Sequence, residues 1–379
     1  MKNVPIIAVL LACALAIMAF RPRPDMKSRT DDPKKAFSFN GHCSEMYAAA
    51  PKSFAFGNVR PSKVKAWQKA FRQELKRLTG VSVIERQLQG YRPELRKIDS
   101  EDIGFAVRER WRIWTEPDVN LPFVMIVPKD IEGRVPLVIT PHGHGKNTEQ
   151  YAGIYTSPED SIDAVEGQRN MALLFARKGY ITITPAARGF EGTGRPEDSK
   201  AVSSCTELMK RDALVGRTPV GDRVWDIMKI LDWALETLPV DPDKVILTGN
   251  SGGGTQTVYA GAMDTRISIC IPASSFSSFE ASIGLQVHCA CNYIPGIMNC
   301  GDMGDILGLV APRPLCIIQG KDDPIFPIQG AEEQFETVRK VYEAAGAPDN
   351  CELFIGHAGH RYYFDGADSF IEKHLDDAR

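Results

Sequence analysis

Apolar side chains recur at helical spacing in one stretch of this chain, directly after a region rich in proline, lysine and serine. Five of them lie three or four residues apart, as expected for one face of a helix; they are Val64, Trp67, Phe71, Leu75 and Leu78. Pro61 stands where a helix begins, and Gly80 stands where one ends. The pattern predicts a helix between these two residues.

Short apolar runs in the rest of the chain predict strands. Residues 108–115 alternate polar and apolar side chains, whereas the uniform run at 135–140 favours a strand buried on both faces of a parallel sheet. Further strands are predicted at 121–127, 180–185, 245–248, 266–271, 313–319 and 351–355. Helical patterns lie between them, for example at 171–178 and 222–238. This alternation predicts an α/β protein with a doubly wound, mostly parallel sheet and helices on both faces.

The length of 379 residues favours one catalytic domain with an N-terminal extension. We expect a signal peptide or membrane anchor at residues 1–20, a linker and N-terminal helical extension at 21–100, and the catalytic domain at 101–379. Lys2 precedes an uncharged apolar run from Val4 to Phe20, a pattern typical of an export signal. The run is also long enough to remain as an anchor. We therefore expect an exported protein that is periplasmic, secreted or tethered to the membrane.

The charge balance argues against a polyanionic partner. The formal net charge is −3 and the isoelectric point is about 6.2, and the sequence contains no basic stripe of the kind that binds nucleic acid. We expect a small-molecule or carbohydrate substrate, no nucleic acid, and membrane contact only through the N-terminal segment. The sequence does not specify the oligomeric state.

The segment 245–254 carries the strongest chemical signal. Its Gly249-x-Ser251-x-Gly253 pattern matches a nucleophile elbow, in which the chain turns sharply from a strand into a helix and leaves no room for flanking side chains. A β-branched apolar run precedes the motif, and residues 255–260 can continue as a helix. Ser251 is therefore the predicted nucleophile, and an idle serine in a glycine-rich turn is the alternative.

A serine hydroxyl needs a neighbouring base, and in such sites the partners follow in the order serine, acid, histidine. Asp322 and Asp323 follow the strand predicted at 313–319. We favour Asp323, because the glycine three residues before it and the proline four residues after it resemble the acid loop of many α/β hydrolases. His357 and His360 follow the last predicted strand, and we favour His360, because a preceding glycine and a following arginine and aromatic residue resemble the final histidine loop of esterases.

The loop at residues 142–145, His-Gly-His-Gly, follows the uniform strand at 135–140. A developing oxyanion needs two fixed N–H donors. We expect them to be the backbone N–H groups of Gly252, directly after the nucleophile, and of His144 in this loop. A tight turn with a packed His142 is an alternative that is compatible with this role.

The chain contains nine cysteines, and Cys13 lies in the apolar start. An exported protein could pair some of the others in disulfides, but the pairing cannot be deduced from the sequence. Cys289 and Cys291 are too close in sequence to match a zinc-ribbon spacing, and no carboxylate or cysteine ligands accompany the two histidines of the last loop. We therefore expect no metal and no cofactor.

From about residue 60 to its end, the chain resembles the acetylxylan esterase-like branch of the α/β hydrolases, within the dienelactone hydrolase and cephalosporin deacetylase group. The motifs that carry the resemblance lie at residues 142–145, 188–192, 249–254, 288–296, 311–314, 323–327 and 359–361, and the Cys-x-Cys-Asn-Tyr-x-Pro-Gly segment is the most distinctive. The resemblance implies an α/β-hydrolase fold and a Ser/Asp/His esterase without a cofactor.

Three classes of function are compatible with these residues. The first is a serine carboxylesterase acting on short acyl esters, acetyl above all, including those of carbohydrates. The second is a serine peptidase of the prolyl oligopeptidase type, which is disfavoured because no propeller domain fits before residue 120. The third is a non-catalytic binding protein on the same fold, which is disfavoured because every triad position is filled.

Overall fold

The computed structural model describes residues 32, 34–145, 147–190, 192–198 and 203–376. The predicted signal or anchor at residues 1–20 lies outside them. Contacts divide the described residues into two compact units, one ending at residue 49 and the other beginning at residue 50. The first contains helix α1 (Phe39–Ala48), whose N-terminus is capped by the Ser38 side chain. The second contains the sheet, and the predicted boundary near residue 100 stays a prediction.

Nine strands form one sheet within the described part of the chain. They are β1 (Glu94–Asp102), β2 (Ala106–Glu116), β3 (Val119–Pro128), β4 (Val135–Ile139), β5 (Ile181–Pro185), β6 (Val240–Asn250), β7 (Ile269–Ala273), β8 (Leu315–Gly320) and β9 (Cys351–Gly356). Their order across the sheet is β1-β2-β3-β5-β4-β6-β7-β8-β9. The pairs among β1, β2, β3 and β5 are antiparallel, and all pairs from β5 to β9 are parallel.

In chain order, helices stand before, between and after the strands. After α1 they are α2 (Val64–Thr79), α3 (Val81–Gln87), α4 (Thr148–Tyr151), α5 (Pro158–Glu166), α6 (Met171–Arg177), α7 (Cys205–Ala213), α8 (Pro219–Thr237), α9 (Gly252–Met263), α10 (Met303–Leu307), α11 (Ile328–Ala344) and α12 (Phe364–Asp376). Within the described ranges, no helix combines the length and apolar character that a membrane crossing requires.

The inner parallel strands are buried on both faces, which confirms the predicted doubly wound sheet. On β6, Val245 and Leu247 belong to a large apolar cluster that includes residues of α8, α9 and α11. Ile246, between them, belongs to a second cluster with Phe175 of α6 and Phe370 of α12. Because successive strand side chains point to opposite faces, helices cover both sides of the sheet.

Helix α2 ends where the sequence predicted. Gly80 has φ +84°, and a Cβ there would lie 2.6 Å from the carbonyl oxygen of Gly216. Glycine is therefore required both by the left-handed turn and by the close approach of the chain. On α2, Phe71 and Leu75 are completely buried in the larger apolar cluster.

Strand β1 was not predicted from the sequence. It lies at the edge of the sheet, and almost all of its side chains are exposed, so it has no alternating apolar face. The strand forms because its backbone pairs with β2, and an ion pair of 2.5 Å joins Lys97 to Glu109 across the two strands. Such a strand has no periodic pattern of apolar residues in its sequence, because its conformation is stabilised by pairing with β2.

Candidate active site

The predicted site residues lie where parallel strands end. His144 follows β4, Ser251 follows β6, Asp323 follows β8, and His360 follows β9. The carboxyl ends of parallel strands meet at one edge of a sheet, which is where open α/β folds place their binding sites. The structure therefore brings all four residues to the same edge.

Ser251 stands at the turn between β6 and α9 with φ 59° and ψ −119°. Its N–H donates to the carbonyl of Ala273 at 2.9 Å, and its carbonyl accepts from the N–H of Thr255 at 2.8 Å. Positive φ at a residue with a Cβ costs on the order of 1–3 kcal/mol and persists only where the surroundings enforce it. The strained turn leaves the side chain of the predicted nucleophile partly exposed to solvent.

The two flanking glycines allow the elbow to pack against the loop after β4. A Cβ on Gly249 would lie 2.7 Å from the carbonyl oxygens of Gly253 and Pro141, and a Cβ on Gly253 would clash directly with the same oxygen of Pro141. Any side chain at either position would push β4 and β6 apart at this edge. The spacing of the motif thus has a steric origin.

Asp323 is held by four hydrogen bonds. Its Oδ2 accepts from Nδ1 of His360 at 2.8 Å and from Nε2 of Gln319 at 3.1 Å. Its Oδ1 accepts from the backbone N–H groups of Ile325 and Phe326 at 2.9 and 3.0 Å. Burial alone would raise the pKa of Asp323, but the hydrogen bond and charge of His360 and the two N–H donors outweigh it, so that the pKa lies below its ordinary value.

The neighbouring carboxylate has different surroundings. The side chain of Asp322 is 68% exposed, and its contact is with Lys321 at 3.9 Å. The side chain of Asp323 is completely buried. Of the two candidates, Asp323 is the carboxylate that contacts an imidazole, as the sequence favoured.

His360 and His357 also differ in their contacts. The His360 ring lies nearly parallel to Phe326, with 6.3 Å between the ring centres, and its Nδ1 contacts Asp323. This pairing leaves Nε2 as the nitrogen that can exchange a proton with another group. His357 is exposed and packs edge-on against Tyr363. Of the two histidines, His360 is the one positioned by the buried acid.

The histidine loop lies next to the elbow through β7. The Oγ of Ser274 donates to the carbonyl of Arg361 at 2.9 Å, and the preceding residue, Ala273, accepts the hydrogen bond from the N–H of Ser251. The Asp323–His360 pair and the predicted nucleophile are therefore joined by adjacent backbone segments at the same edge.

The predicted oxyanion loop contacts the elbow directly. A Cβ on Gly143 would lie 2.7 Å from the carbonyl oxygen of Asn250 and 3.2 Å from the Cβ of Ser251. A Cβ on Gly252 would lie 3.0 Å from Nδ1 of His144. The two residues predicted to supply N–H donors thus lie beside each other and adjacent to Ser251, and their role as donors stays a prediction.

The side chain of His142 holds the predicted oxyanion loop through hydrogen bonds. Its Nε2 accepts the backbone N–H of Ala187 at 3.2 Å, so the proton of the neutral ring resides on Nδ1, which donates to the carbonyl of Gly143 at 3.0 Å. The side chain is 1% exposed, and burial lowers the pKa of His142 to about 4. The packed His142 envisaged from the sequence is present, and it supports the loop.

Because the imidazole of His142 is buried, we expect the free energy of unfolding to fall in mild acid. Because the pKa of His142 is about 4 when folded and about 6.5 when unfolded, the unfolded chain binds an extra proton between these values. Stability is therefore present above pH 6.5 and falls as the pH is lowered towards 4, by about 3 kcal/mol. Urea unfolding across this range should show a smaller acid-induced loss in His142→Gln. The exposed-site variant His357→Gln should keep the wild-type loss, and equal slopes in the two variants would contradict the assignment.

Arg188 anchors the segment that packs on this loop. Its guanidinium makes two hydrogen bonds to Asp226, at 2.8 and 2.6 Å, and an ion pair with Glu116. Two residues further along the chain, the ring of Phe190 packs against the ring of His144 with 4.4 Å between ring centres. The buried charges therefore position a hydrophobic wall beside the predicted oxyanion loop.

Sequence reasoning missed Gln319. Its Nε2 donates to Asp323 and, at 2.8 Å, to the carbonyl of Phe326, so it fixes both the acid and the turn that follows it. A polar residue at the end of an otherwise apolar buried strand was the available signal.

The contrast between the two aspartates leads to a paired prediction. Asp323→Asn should lower kcat by roughly 10³–10⁴, because the amide cannot stabilise the imidazolium or hold the required tautomer of His360. Asp322→Asn should lower kcat far less, since its side chain faces solvent. Steady-state hydrolysis of an aryl acetate by both variants provides the measurement, and a stronger defect in Asp322→Asn would show that the acid is misassigned.

Comparisons with known proteins are consistent with this geometry. The model of the Abhydrolase family, Abhydrolase_7, matches residues 25–368. "Putative hydrolase YtaP" of Bacillus subtilis (strain 168) is 25% identical over 283 residues, which are 72% of this chain and 91% of that protein. "4-O-methyl-glucuronoyl methylesterase 1" of Wolfiporia cocos (strain MD-104) is 27% identical over 181 residues, which are 40% of this chain and 44% of that protein.

Among solved structures, a "putative acetyl xylan esterase" from Bacteroides fragilis NCTC 9343 is similar with a TM-score of 0.68 at 19% identity. The similarity covers 86% of this chain and 84% of that one. The "Glucuronoyl Esterase from Solibacter usitatus" has a TM-score of 0.59 at 16% identity, over 81% of this chain and 92% of that one. The predicted resemblance and the α/β-hydrolase fold are confirmed.

Proposed function

The chain belongs to the Abhydrolase family, and we propose that it is a serine esterase that hydrolyses short acyl esters of carbohydrates. The observation that carries the proposal is the contact at 2.8 Å between the buried Asp323 and the partly exposed His360, at the same sheet edge as the strained turn of Ser251. A base oriented by a buried acid, beside a serine on an elbow, is the arrangement that activates a hydroxyl for acyl transfer.

In the proposed acylation step, Nε2 of His360 takes the proton of Ser251 as Oγ attacks the ester carbonyl. Asp323 stays ionised and stabilises the imidazolium that forms. The N–H groups of Gly252 and His144 receive the developing oxyanion, a contribution that is typically worth 10²–10³ in kcat for each donor. The carbon–oxygen bond then breaks, and His360 returns the proton to the leaving alcohol.

Deacylation repeats these roles with water. His360 removes a proton from a water molecule as its oxygen attacks the acyl-serine carbonyl, and the Ser251 oxygen leaves with the proton. The carboxylic acid is released and the free hydroxyl of Ser251 is restored. Neither step needs a redox change or a metal-bound nucleophile. The residues at the edge of the sheet supply every proton transfer that ester hydrolysis requires.

Two kinds of carbohydrate ester are suggested by the names of the similar proteins. In an acetylated sugar, the carbohydrate is the leaving alcohol and the serine carries an acetyl group. In a uronoyl ester, the carbohydrate is the acyl part and remains on the serine. We favour the acetyl ester, in agreement with the resemblance noted in the sequence, and the acyl-enzyme distinguishes the two because the groups differ in mass.

The deciding experiment is a parallel assay of the purified protein. Its substrates are an aryl acetate, longer aryl esters, an acetylated xylose oligomer, the methyl ester of glucuronic acid, and a proline-containing peptide anilide. Mass spectrometry of the peptide with Ser251, after rapid acid quench, identifies the bound acyl group. The variant Ser251→Ala serves as the matched control for hydrolysis by other groups.

We expect hydrolysis of short acyl esters, fastest for acetate, with acetyl on Ser251. Faster turnover of the glucuronate ester would replace the acetyl group in the proposal with a uronoyl group. Faster cleavage of the anilide would assign the chain to the peptidase class, because only a peptidase protonates an amine leaving group efficiently. No turnover of any substrate would favour the binding-protein alternative.

We also propose that the protein acts outside the cytoplasm. The support is the uncharged run from Val4 to Phe20 behind Lys2, which lies outside the described residues. Fractionation of the native host should find the protein in the periplasm, in the medium or in the membrane fraction. A soluble cytoplasmic product that retains Met1 would contradict export.

A further inference from the structure

Four metal-ligating side chains meet beside the candidate active site, although they are distant in sequence. They are His144, Cys205, Cys289 and Cys291, called the Cys3His cluster below. Their ligand atoms, one imidazole nitrogen and three sulfurs, all lie within 4.8 Å of one another. Cys205 and Cys291 are buried, and the other two side chains are partly buried.

The spacing of these atoms fits one tetrahedral ion. Nε2 of His144 lies 3.3 Å from Sγ of Cys291 and 3.8 Å from Sγ of Cys205. With zinc–sulfur bonds of about 2.3 Å and a zinc–nitrogen bond of about 2.0–2.1 Å, tetrahedral geometry places nitrogen and sulfur about 3.5 Å apart. The two observed distances bracket this separation. Three thiolates and an imidazole form a ligand set typical of structural zinc sites.

The cluster joins three separate segments at the sheet edge. His144 lies in the predicted oxyanion loop, and Cys205 is the first residue of α7. The other two cysteines lie in the connection between β7 and β8, one just before a 3-10 turn and the other within it. The expectation of no metal from the sequence rested on the spacing of Cys289 and Cys291 and on the surroundings of the two histidines in the last loop. Two further ligands come from positions more than 80 residues away, and only folding brings them together.

A buried cation provides independent support for negative charge at the cluster. The side chain of Arg223 is 3% exposed, and its Nη2 lies 3.2 Å from Sγ of Cys205. Its other hydrogen bonds go to the backbone carbonyl of Arg188, at 3.1 and 2.7 Å. In the described part of the chain it forms no ion pair with a carboxylate. A buried unpaired guanidinium is costly, and thiolates bound to a metal ion at the cluster would compensate its charge.

The charges of a zinc complex would balance at this place. Three thiolates and one Zn²⁺ carry a net charge of −1, which the guanidinium of Arg223 neutralises. Each thiol releases its proton to solvent when the ion binds, and no oxidant is needed. The ring of Phe190 packs against both His144, at 4.4 Å, and the guanidinium of Arg223, at 4.2 Å, and so shields the cluster.

We propose that the Cys3His cluster is a structural zinc site that fixes the loop of His144 against the elbow. Binding through Nε2 places the ring proton on Nδ1, which lies on the side of Gly252. The ion thereby links the loop, α7 and the β7–β8 connection into one rigid wall. That this wall positions an oxyanion donor rests on the proposed function, whereas the metal site itself does not.

The test measures metal content and needs no substrate. The full chain, purified without a polyhistidine tag or chelating resin, is dialysed against a mild chelator and analysed by plasma mass spectrometry. The variants are Cys291→Ser and Cys289→Ser, with Cys351→Ser as the matched control. Cys351 is a partly buried thiol at the start of β9 and lies outside the cluster. Alkylation of the unreduced protein, followed by peptide mass spectrometry, reports disulfides.

We expect about one zinc per chain in the wild type and in Cys351→Ser, and at least about a 10-fold lower content in the two cluster variants. Wild-type protein without zinc, whether its cluster thiols are free or joined in a disulfide, would overturn the proposal. Equal zinc contents in all variants would overturn it as well, because the metal would then be bound elsewhere.

A second measurement covers the case in which the cluster variants fail to fold. Wild-type protein expressed with Co²⁺ should show the d–d and thiolate-to-cobalt absorption bands of a tetrahedral site, and their absence would overturn the proposal. Esterase activity is measured separately, so an inactive protein with one zinc would contradict only the proposed function. An active protein without zinc would contradict only the metal site.

Discussion

Ser251→Ala is expected to lower kcat for ester hydrolysis by at least about 10⁴. In the proposed mechanism the hydroxyl oxygen forms the acyl-enzyme, and Ser251 stands on the strained turn between β6 and α9 with φ 59°. Residual rate from the oxyanion donors and substrate binding should remain, so the variant need not fall to the uncatalysed rate. Steady-state kinetics with an aryl acetate provide the measurement.

A covalent probe separates loss of the nucleophile from loss of the fold. A fluorophosphonate should label the wild type on Ser251 and leave the alanine variant unlabelled, while both proteins keep the same far-UV circular dichroism. Replacement should also relieve little of the backbone strain, because alanine carries the same Cβ. Near-normal turnover or persistent labelling of the variant would place the nucleophile elsewhere.

His360→Ala is expected to reduce kcat by a similar factor, because without a base the serine hydroxyl keeps its proton. His357→Ala should retain most of the activity, since that ring is exposed and packs edge-on against Tyr363. The two histidines lie three positions apart in one loop, so the two variants test which ring acts with Asp323. Both rates should be measured at a fixed pH near neutrality.

Chemical rescue offers a control for the histidine variant. Added imidazole should restore part of the activity of His360→Ala, because a free base can occupy the space beside Asp323. The double variant Ser251→Ala/His360→Ala should be no slower than either single variant, as expected for residues that act as one unit. A larger defect in His357→Ala would mean that the loop after β9 is assigned incorrectly.

Much of this protein could be determined from the sequence alone. Apolar patterns located eight of the nine strands, because buried parallel strands leave a continuous local signal and the antiparallel strands β2 and β3 also carry regularly placed apolar residues. Gly249 and Gly253 marked the elbow, because the steric demand of packing against Pro141 allows no side chain at either position. In each case the signal that the sequence carries lies within one short segment, even where, as at Pro141, its physical cause lies in another.

Only the tertiary structure decided the rest, because the causes lie between segments. Strand β1 exists through its pairing with β2, and the buried carboxylate of Asp323 is distinguished from Asp322 by its contact with His360, 37 positions along the chain. The Cys3His cluster brings together side chains from three connections of the sheet. Sequence patterns report the periodicity and sterics of one segment. Distances between segments, and the charge compensation that these distances permit, are set only when folding brings the strand ends together at one edge of the sheet.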